Sequence, residues 1–230
     1  MRTARQSQSR QAWAAPVLLA SLLWLLIPGG SVGAASEPML DRAQALHALS
    51  AGDVPLRRQA ASRLGEIGVI ADAAELLRAL RDADAATRAN AEQALWQIWG
   101  RSDDPQIDAL YRKGVEQMNG GELQPGIATF TRIVGLKPEF AEGWNKRATL
   151  YFMAGEYRKS LADCTEVIKR NPYHFGALAG YGQIYLKLED YARSLEYFRR
   201  ALELNPNMDS VRLSILLLEQ LIERKRKDMI

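Results

Sequence analysis

Cysteine and histidine are scarce in this chain. Its 230 residues include one cysteine, Cys164, and two histidines, His47 and His174. One thiol excludes an intramolecular disulfide framework and a multi-thiolate metal site. Neither histidine stands at ligand or relay spacing from a second candidate, and we expect His174 in a surface loop. The sequence therefore predicts no enzyme activity, no metal site and no cofactor.

A basic surface is also lacking once the charges are located. The chain has 30 Lys and Arg against 27 Asp and Glu. Residues 1–35 contain three of the arginines and no acidic residue, so the rest of the chain is neutral. A neutral protein lacks the positive surface that phosphate backbones bind, which argues against a nucleic-acid partner. The carboxylates form neither an EF-hand loop nor an acid–base pair, and we expect them on solvated helix faces.

The first 35 residues have the composition of an export signal. Arg2, Arg5 and Arg10 precede the apolar run Val17–Ile27, and small residues follow at 32–35. This order is typical of a cleaved secretory signal peptide. We predict residues 1–35 as a signal peptide and an exported protein, periplasmic in a Gram-negative bacterium. The alternative is an uncleaved segment that anchors the chain in the inner membrane.

Between residues 107 and 208 the sequence repeats with a period of 34. Several columns hold residues of one kind, and each column runs through three units without a gap. Prolines stand at 138, 172 and 206; small residues are Gly114, Ala148 and Gly182; a core column holds Phe130, Cys164 and Phe198. This period and the helical spacing of the apolar residues are typical of a helix-turn-helix repeat. Because Cys164 shares its column with two phenylalanines, we expect a buried, unreactive thiol.

With its single Trp144, its small-residue column and its terminating prolines, the segment 107–208 resembles three tetratricopeptide repeats. Arg147 departs from the family pattern where Leu is usual, and Gly126 departs where the second helix normally has Ala. The resemblance implies an all-α protein, a right-handed α-solenoid of helix pairs. Its implied role is to bind another protein or peptide on a concave surface.

A weaker period of 31 precedes these units. Eight positions between 43 and 67 recur between 74 and 98, among them Asp53 with Asp84 and Arg57 with Arg88. The pattern resembles two HEAT-like repeats, here assigned to residues 36–100, with helices near 40–50, 55–67, 71–81 and 85–99. This array ends with two indole side chains, Trp96 and Trp99, which other residues must shield from solvent. We expect the first helix of the next unit to cover them and to make both arrays one rigid body.

The repeat register places a set of binding residues on the concave face of the first helices. They are Tyr111, Met118, Asn145, Thr149, Phe152, Met153, Gln183 and Lys187. Some proteins of this family clamp a C-terminal carboxylate with paired Lys, Asn and Arg. The corresponding positions hold Tyr111, Val115, Lys146, Gly176 and Gly180, so that clamp is absent. The mixed surface favours an extended or helical segment with apolar anchors. The alternative is that Phe152 and Met153 fill the core between repeats.

Residues 209–230 predict a C-terminal capping helix with a basic tail. Its apolar positions cover more of the helix than one core-facing stripe needs. A homodimer or a docked partner would use the excess, whereas a deeply embedded cap would also explain it. The predicted function is an exported scaffold or adaptor that binds a protein of unidentified nature. The alternatives are a non-catalytic accessory subunit of an envelope enzyme and a self-associating structural protein.

Overall fold

The structure is a computed structural model that describes residues 39–228, so the predicted signal peptide lies outside the described residues. These residues form eleven α-helices and one 3-10 turn, Ile70–Asp72, and contain no strand. The all-α class is confirmed. The helices are α1 Arg42–Ala51, α2 Val54–Ile67, α3 Ala73–Ala79, α4 Ala85–Trp99, α5 Pro105–Asn119, α6 Leu123–Leu136, α7 Ala141–Met153, α8 Tyr157–Arg170, α9 Phe175–Lys187, α10 Tyr191–Leu204 and α11 Asp209–Asp228.

Local structure in α1 to α4 follows the period of 31. Asp53 and Asp84 each precede a helix and accept a hydrogen bond from the backbone N–H three residues on, which satisfies an otherwise unpaired donor. Arg57 and Arg88 each donate to the carbonyl oxygen five residues upstream, at 3.0 Å. The two units therefore fold alike. Their assignment as HEAT-like repeats stays a prediction.

The 34-residue columns place complementary side chains between the two helices of each unit. A Cβ atom added at Gly182 would lie 2.4 Å from the Phe198 ring, and one at Gly114 would lie 2.6 Å from the Phe130 ring. In the middle unit Ala148 is accommodated because Cys164 replaces the phenylalanine. The prediction that Cys164 is buried is confirmed, and burial raises the pKa of its thiol to about 12.

The departure at Arg147 is balanced by a charged partner on the next helix. Its guanidinium donates two hydrogen bonds, of 2.7 and 2.8 Å, to the carboxylate of Asp163, and lies 5.0 Å from the Trp144 ring centroid. Asp163 is buried. The expectation that the carboxylates lie on solvated faces is therefore wrong here, because a bidentate arginine replaces the lost hydration.

The two arrays meet through residues that are distant in the sequence. Trp99 stacks on His174 with ring centroids 4.7 Å apart, and Trp96 meets Phe175 edge-on at 5.1 Å. The expectation that the first helix of the next unit covers the two indoles is wrong, since the start of α9 in the third unit packs against them. A polar contact adds to this interface, because Asn207 accepts from Arg88 at 3.0 Å and donates to the Leu80 carbonyl oxygen at 2.8 Å.

The helix α11 packs only one of its faces. Val211 and Leu218 are buried, whereas Leu213, Leu216 and Leu217 are more than half exposed. None of the helices within residues 39–228 is long and apolar enough to cross a bilayer.

Candidate functional site

The predicted binding residues lie on α5, α7 and α9, the first helices of the three repeats. Successive first helices contact one another, so their equivalent faces form one surface. The eight residues fall into two groups along these helices. Tyr111 and Asn145 lie nearer the N-terminal ends, and the other six lie in the last two turns.

A buried carboxylate organises the first group. Glu142, in the first turn of α7, is 2 % exposed and accepts hydrogen bonds from side chains of α5, of α7 and of the residue that precedes α9. The donors are His174 Nε2 at 2.8 Å, Lys146 Nζ at 2.9 Å, Asn145 Nδ2 at 3.1 Å and the Tyr111 hydroxyl at 3.4 Å. Two of the predicted binding residues are thus engaged inside the protein.

His174 connects this carboxylate to the start of α9. The backbone N–H of Ala177 donates to its Nδ1 at 3.0 Å, which caps the helix. Since Nδ1 accepts, Nε2 carries the proton and donates to Glu142. The ring is fully buried, so the expectation of a surface loop for His174 is wrong. In the sequence, the position of His174 just before a helix could have indicated a helix cap. Histidine is not among the residues that are preferred at caps, so the sequence pattern did not reveal this role.

The surroundings keep Glu142 ionised. Burial by itself raises the pKa of this carboxyl, but the hydrogen bond from His174 and the charge of Lys146 outweigh burial and hold the pKa at about 2. Burial and the Glu142 charge together raise the pKa of the Tyr111 hydroxyl, which therefore stays a neutral donor. The cluster is a satisfied network with an ion pair, and its chemistry is structural.

The protein fills part of the groove with its own α4. A Cβ atom at Gly176, in the first turn of α9, would lie 2.4 Å from the Trp96 ring. The equivalent position in α5, Asp108, accepts from the hydroxyl and the backbone N–H of Ser102 in the preceding junction. The first turns of the groove are therefore closed to a partner by the N-terminal array and the junction that follows it.

The open part of the groove, defined as the last two turns of α5, α7 and α9, keeps six of the predicted residues. They are Met118, Thr149, Phe152, Met153, Gln183 and Lys187. Met153 is 51 % exposed, and Phe152 is half-buried with its ring centroid 5.7 Å from that of Tyr157. Thr149 bonds only to the carbonyl oxygen of its own helix, at 3.0 Å to Asn145. This surface offers apolar contacts between groups that can form hydrogen bonds.

Outside the groove, a cavity of about 710 Å³ lies between the N-terminal array and the loops that precede α7 and α9. Its lining includes Ile70, Trp99, Lys137 and Tyr173. Within residues 39–228, no group of three or more His, Cys, Asp or Glu side chains is placed to hold a metal ion.

Comparisons with known proteins identify the repeats. Residues 145–209 match the family described as tetratricopeptide repeat. A TPR repeat-containing protein of Rhizobium etli is 32 % identical over 108 residues, 47 % of this chain and 53 % of that protein. The small glutamine-rich tetratricopeptide repeat-containing protein of Dictyostelium discoideum is 28 % identical over 114 residues, 50 % of this chain and 34 % of that protein. The chain thus spans about half the length of the first relative and about a third of the second.

Solved structures share the fold. The first TPR domain of Spaghetti (RPAP3), bound to an HSP90 peptide, superposes with a TM-score of 0.50 at 21 % identity, covering 52 % of this chain and 96 % of that one. The Sgt2 TPR domain from Aspergillus fumigatus gives a TM-score of 0.51 at 21 % identity, covering 54 % of this chain and 83 % of that one. The family match over residues 145–209 confirms the predicted resemblance to tetratricopeptide repeats, and the solved structures share the helical fold.

Proposed function

We propose that this protein is an adaptor that binds a segment of another protein in the open part of its groove. The fold supports this role, since the RPAP3 domain of the same fold holds a peptide from HSP90. A solenoid provides an extended surface for such a segment rather than an enclosed catalytic pocket.

The carrying observation is that Met153 is exposed and Phe152 is half-buried at the end of α7, while Met118 is half-buried at the end of the adjacent first helix α5. Thioether and aromatic side chains adapt to apolar anchors of different shapes. Gln183 and Thr149 supply groups for a peptide backbone without demanding a charge. An extended or helical segment with apolar anchors fits this surface. An acidic C-terminal tail does not, because the clamp residues are absent and α4 covers the first turns.

A peptide selection tests the proposal. A phage library of random peptides is selected on the purified protein, and the recovered peptides are titrated against variants. Met153→Gln and Gln183→Ala should each weaken binding by about tenfold, the effect of losing one good apolar or hydrogen-bonding contact. Leu136→Gln is the matched control, since Leu136 is 58 % exposed at the end of α6 and lies outside the groove. Peptides that bind both groove variants as tightly as the wild type would contradict the proposal.

We further propose that the adaptor acts outside the cytoplasm, on the support of the arginines, apolar run and small residues within 1–35. N-terminal sequencing of the protein from the envelope fraction should find a chain that begins at Ala35 or Ser36. An intact Met1 in the membrane pellet would indicate the anchored alternative instead, and recovery from the cytoplasm would contradict export.

A further inference from the structure

The last helix keeps the register of the repeats. The buried Val211 and Leu218 lie 34 residues after Ala177 and Ile184, which are buried in α9. α11 contacts α10, the second helix before it, as α9 contacts α8. The helix α11 is therefore placed as the first helix of a fourth unit.

The side of α11 that carries Leu216 is the one that earlier units cover with their second helix. Leu217 is 34 residues after Gln183, which lies on the groove side. Leu216 continues the column of Gly114 and Gly182, the positions that touch the phenylalanines of the second helices. Among residues 39–228, no second helix follows to cover it. A leucine in place of glycine also prevents a helix from approaching as closely as α10 approaches α9. This face therefore suits a partner that packs at ordinary helix distance.

The outer face of α11 is complementary to itself. At 3.6 residues per turn, one face carries in order Asp209, Leu213, Leu216 with Leu217, Gln220, Arg224 and Lys227. Glu223 lies at the edge of this face, within 4 Å of Arg226 and Lys227. An acidic residue stands at one end, leucines lie in the middle, and two basic residues stand at the other end. Asp209 is 92 % exposed with one long ion pair, 3.5 Å to Arg212. Arg224 forms no ion pair within the described residues.

We propose that a second copy of this chain docks on this face, with the two α11 helices antiparallel. A two-fold axis between positions 216 and 217 sets Leu216 of one copy against Leu217 of the other. The same axis brings Asp209 of each copy to Arg224 of the other. It also places the positive end of each helix dipole beside the negative end of the other, which is favourable. A parallel arrangement would instead place like charges together. The two-fold makes the interface isologous, so every contact occurs twice.

Sedimentation equilibrium of the purified protein tests this interface. The wild type should form a dimer, and Leu217→Glu should shift it to a monomer because two buried charges would meet near the axis. Leu136→Glu, at an equally exposed leucine of α6, should leave the dimer intact. Circular dichroism melts should show that all variants remain folded, since Leu217 is more than half exposed.

A charge exchange tests the orientation. Asp209→Arg and Arg224→Asp should each weaken the dimer by about tenfold, because each removes two ion pairs and adds two repulsions. The double variant restores both pairs in an antiparallel dimer and should return to near the wild-type dissociation constant. A monomeric wild type at the highest soluble concentration would overturn the proposal. So would a dimer that is insensitive to Leu217→Glu, or a double variant that is no tighter than its parents.

Discussion

The contact between Gly182 and Phe198 sets how closely α9 and α10 pack. A Cβ atom at position 182 would lie 2.4 and 2.5 Å from two ring carbons, about 1 Å inside the ordinary contact distance. Phe198 is fully buried, so its ring has no free space to enter. Overpacking costs about 1–3 kcal/mol, whereas Gly→Ala in a helix gains about 1 kcal/mol. We expect Gly182→Ala to lower the free energy of unfolding by up to about 2 kcal/mol.

The middle repeat supplies the compensating change. There Ala148 packs beside Cys164, so Phe198→Cys removes the atoms that Gly182→Ala would strike. Phe198→Cys alone should lower the free energy of unfolding by about 3 kcal/mol through the cavity that it leaves. In that background Gly182→Ala should raise the free energy of unfolding by up to about 1 kcal/mol. The effect of Gly182→Ala on the free energy of unfolding thus changes sign with the residue at position 198.

Urea unfolding followed by circular dichroism at 222 nm measures these differences. Gly135→Ala is the matched control, because Gly135 also lies in a helix and a Cβ atom there would meet nothing within 4 Å. That variant should gain about 0.5–1 kcal/mol. If Gly182→Ala stabilised the wild-type background as much as Gly135→Ala does, the close helix packing described here would be refuted.

Three further outcomes are expected. Cys164, buried with a thiol pKa of about 12, should not react with an aromatic disulfide reagent until denaturant is added, and rapid reaction in native buffer would contradict its burial. The folded pKa of Glu142, about 2, lies below its ordinary value, so its contribution to stability is present above about pH 4.5 and is lost as the pH falls toward 2. The wild type should therefore lose more unfolding free energy over that range than Glu142→Gln, and equal slopes would refute the ion pair. Trp99→Ala should lower the free energy of unfolding by about 3–5 kcal/mol, since Trp99 packs on His174 and Phe175, and an unchanged thermal melt would show that this junction contributes nothing.

Much of the local structure could be predicted because it depends on residues that are near in sequence. Asp53 and Asp84 recur with the period of 31, and each caps a helix through a contact made within three residues. The 34-residue columns predict pairs of helices because a small residue and its aromatic partner stand sixteen positions apart in one unit. The departure at Arg147 was visible too, but its partner Asp163 was not identified, since many carboxylates lay within similar reach.

The candidate site was only partly predictable. The register placed Met153 and Gln183 on first helices, and their role as binding residues stays a prediction. The same register placed Tyr111 and Asn145 on that surface, whereas their side chains bond to a buried Glu142. From the sequence, a carboxylate in a helix is expected to be solvated unless its hydrogen-bond donors are known. Here the donors stand between 31 residues before Glu142 and 32 residues after it.

The sequence alone determined the helices, the repeat units and the column of buried residues, because periodic contacts within a unit need only local geometry. Tertiary structure decided that the third repeat covers Trp96 and Trp99, that His174 is buried, and that α4 closes the first turns of the groove. Each of these depends on the small rotation between successive repeats, which accumulates along a solenoid. That rotation brings residues about 75–80 positions apart into contact, such as Trp99 with His174 and Trp96 with Phe175, and no pattern within one repeat predicts these contacts.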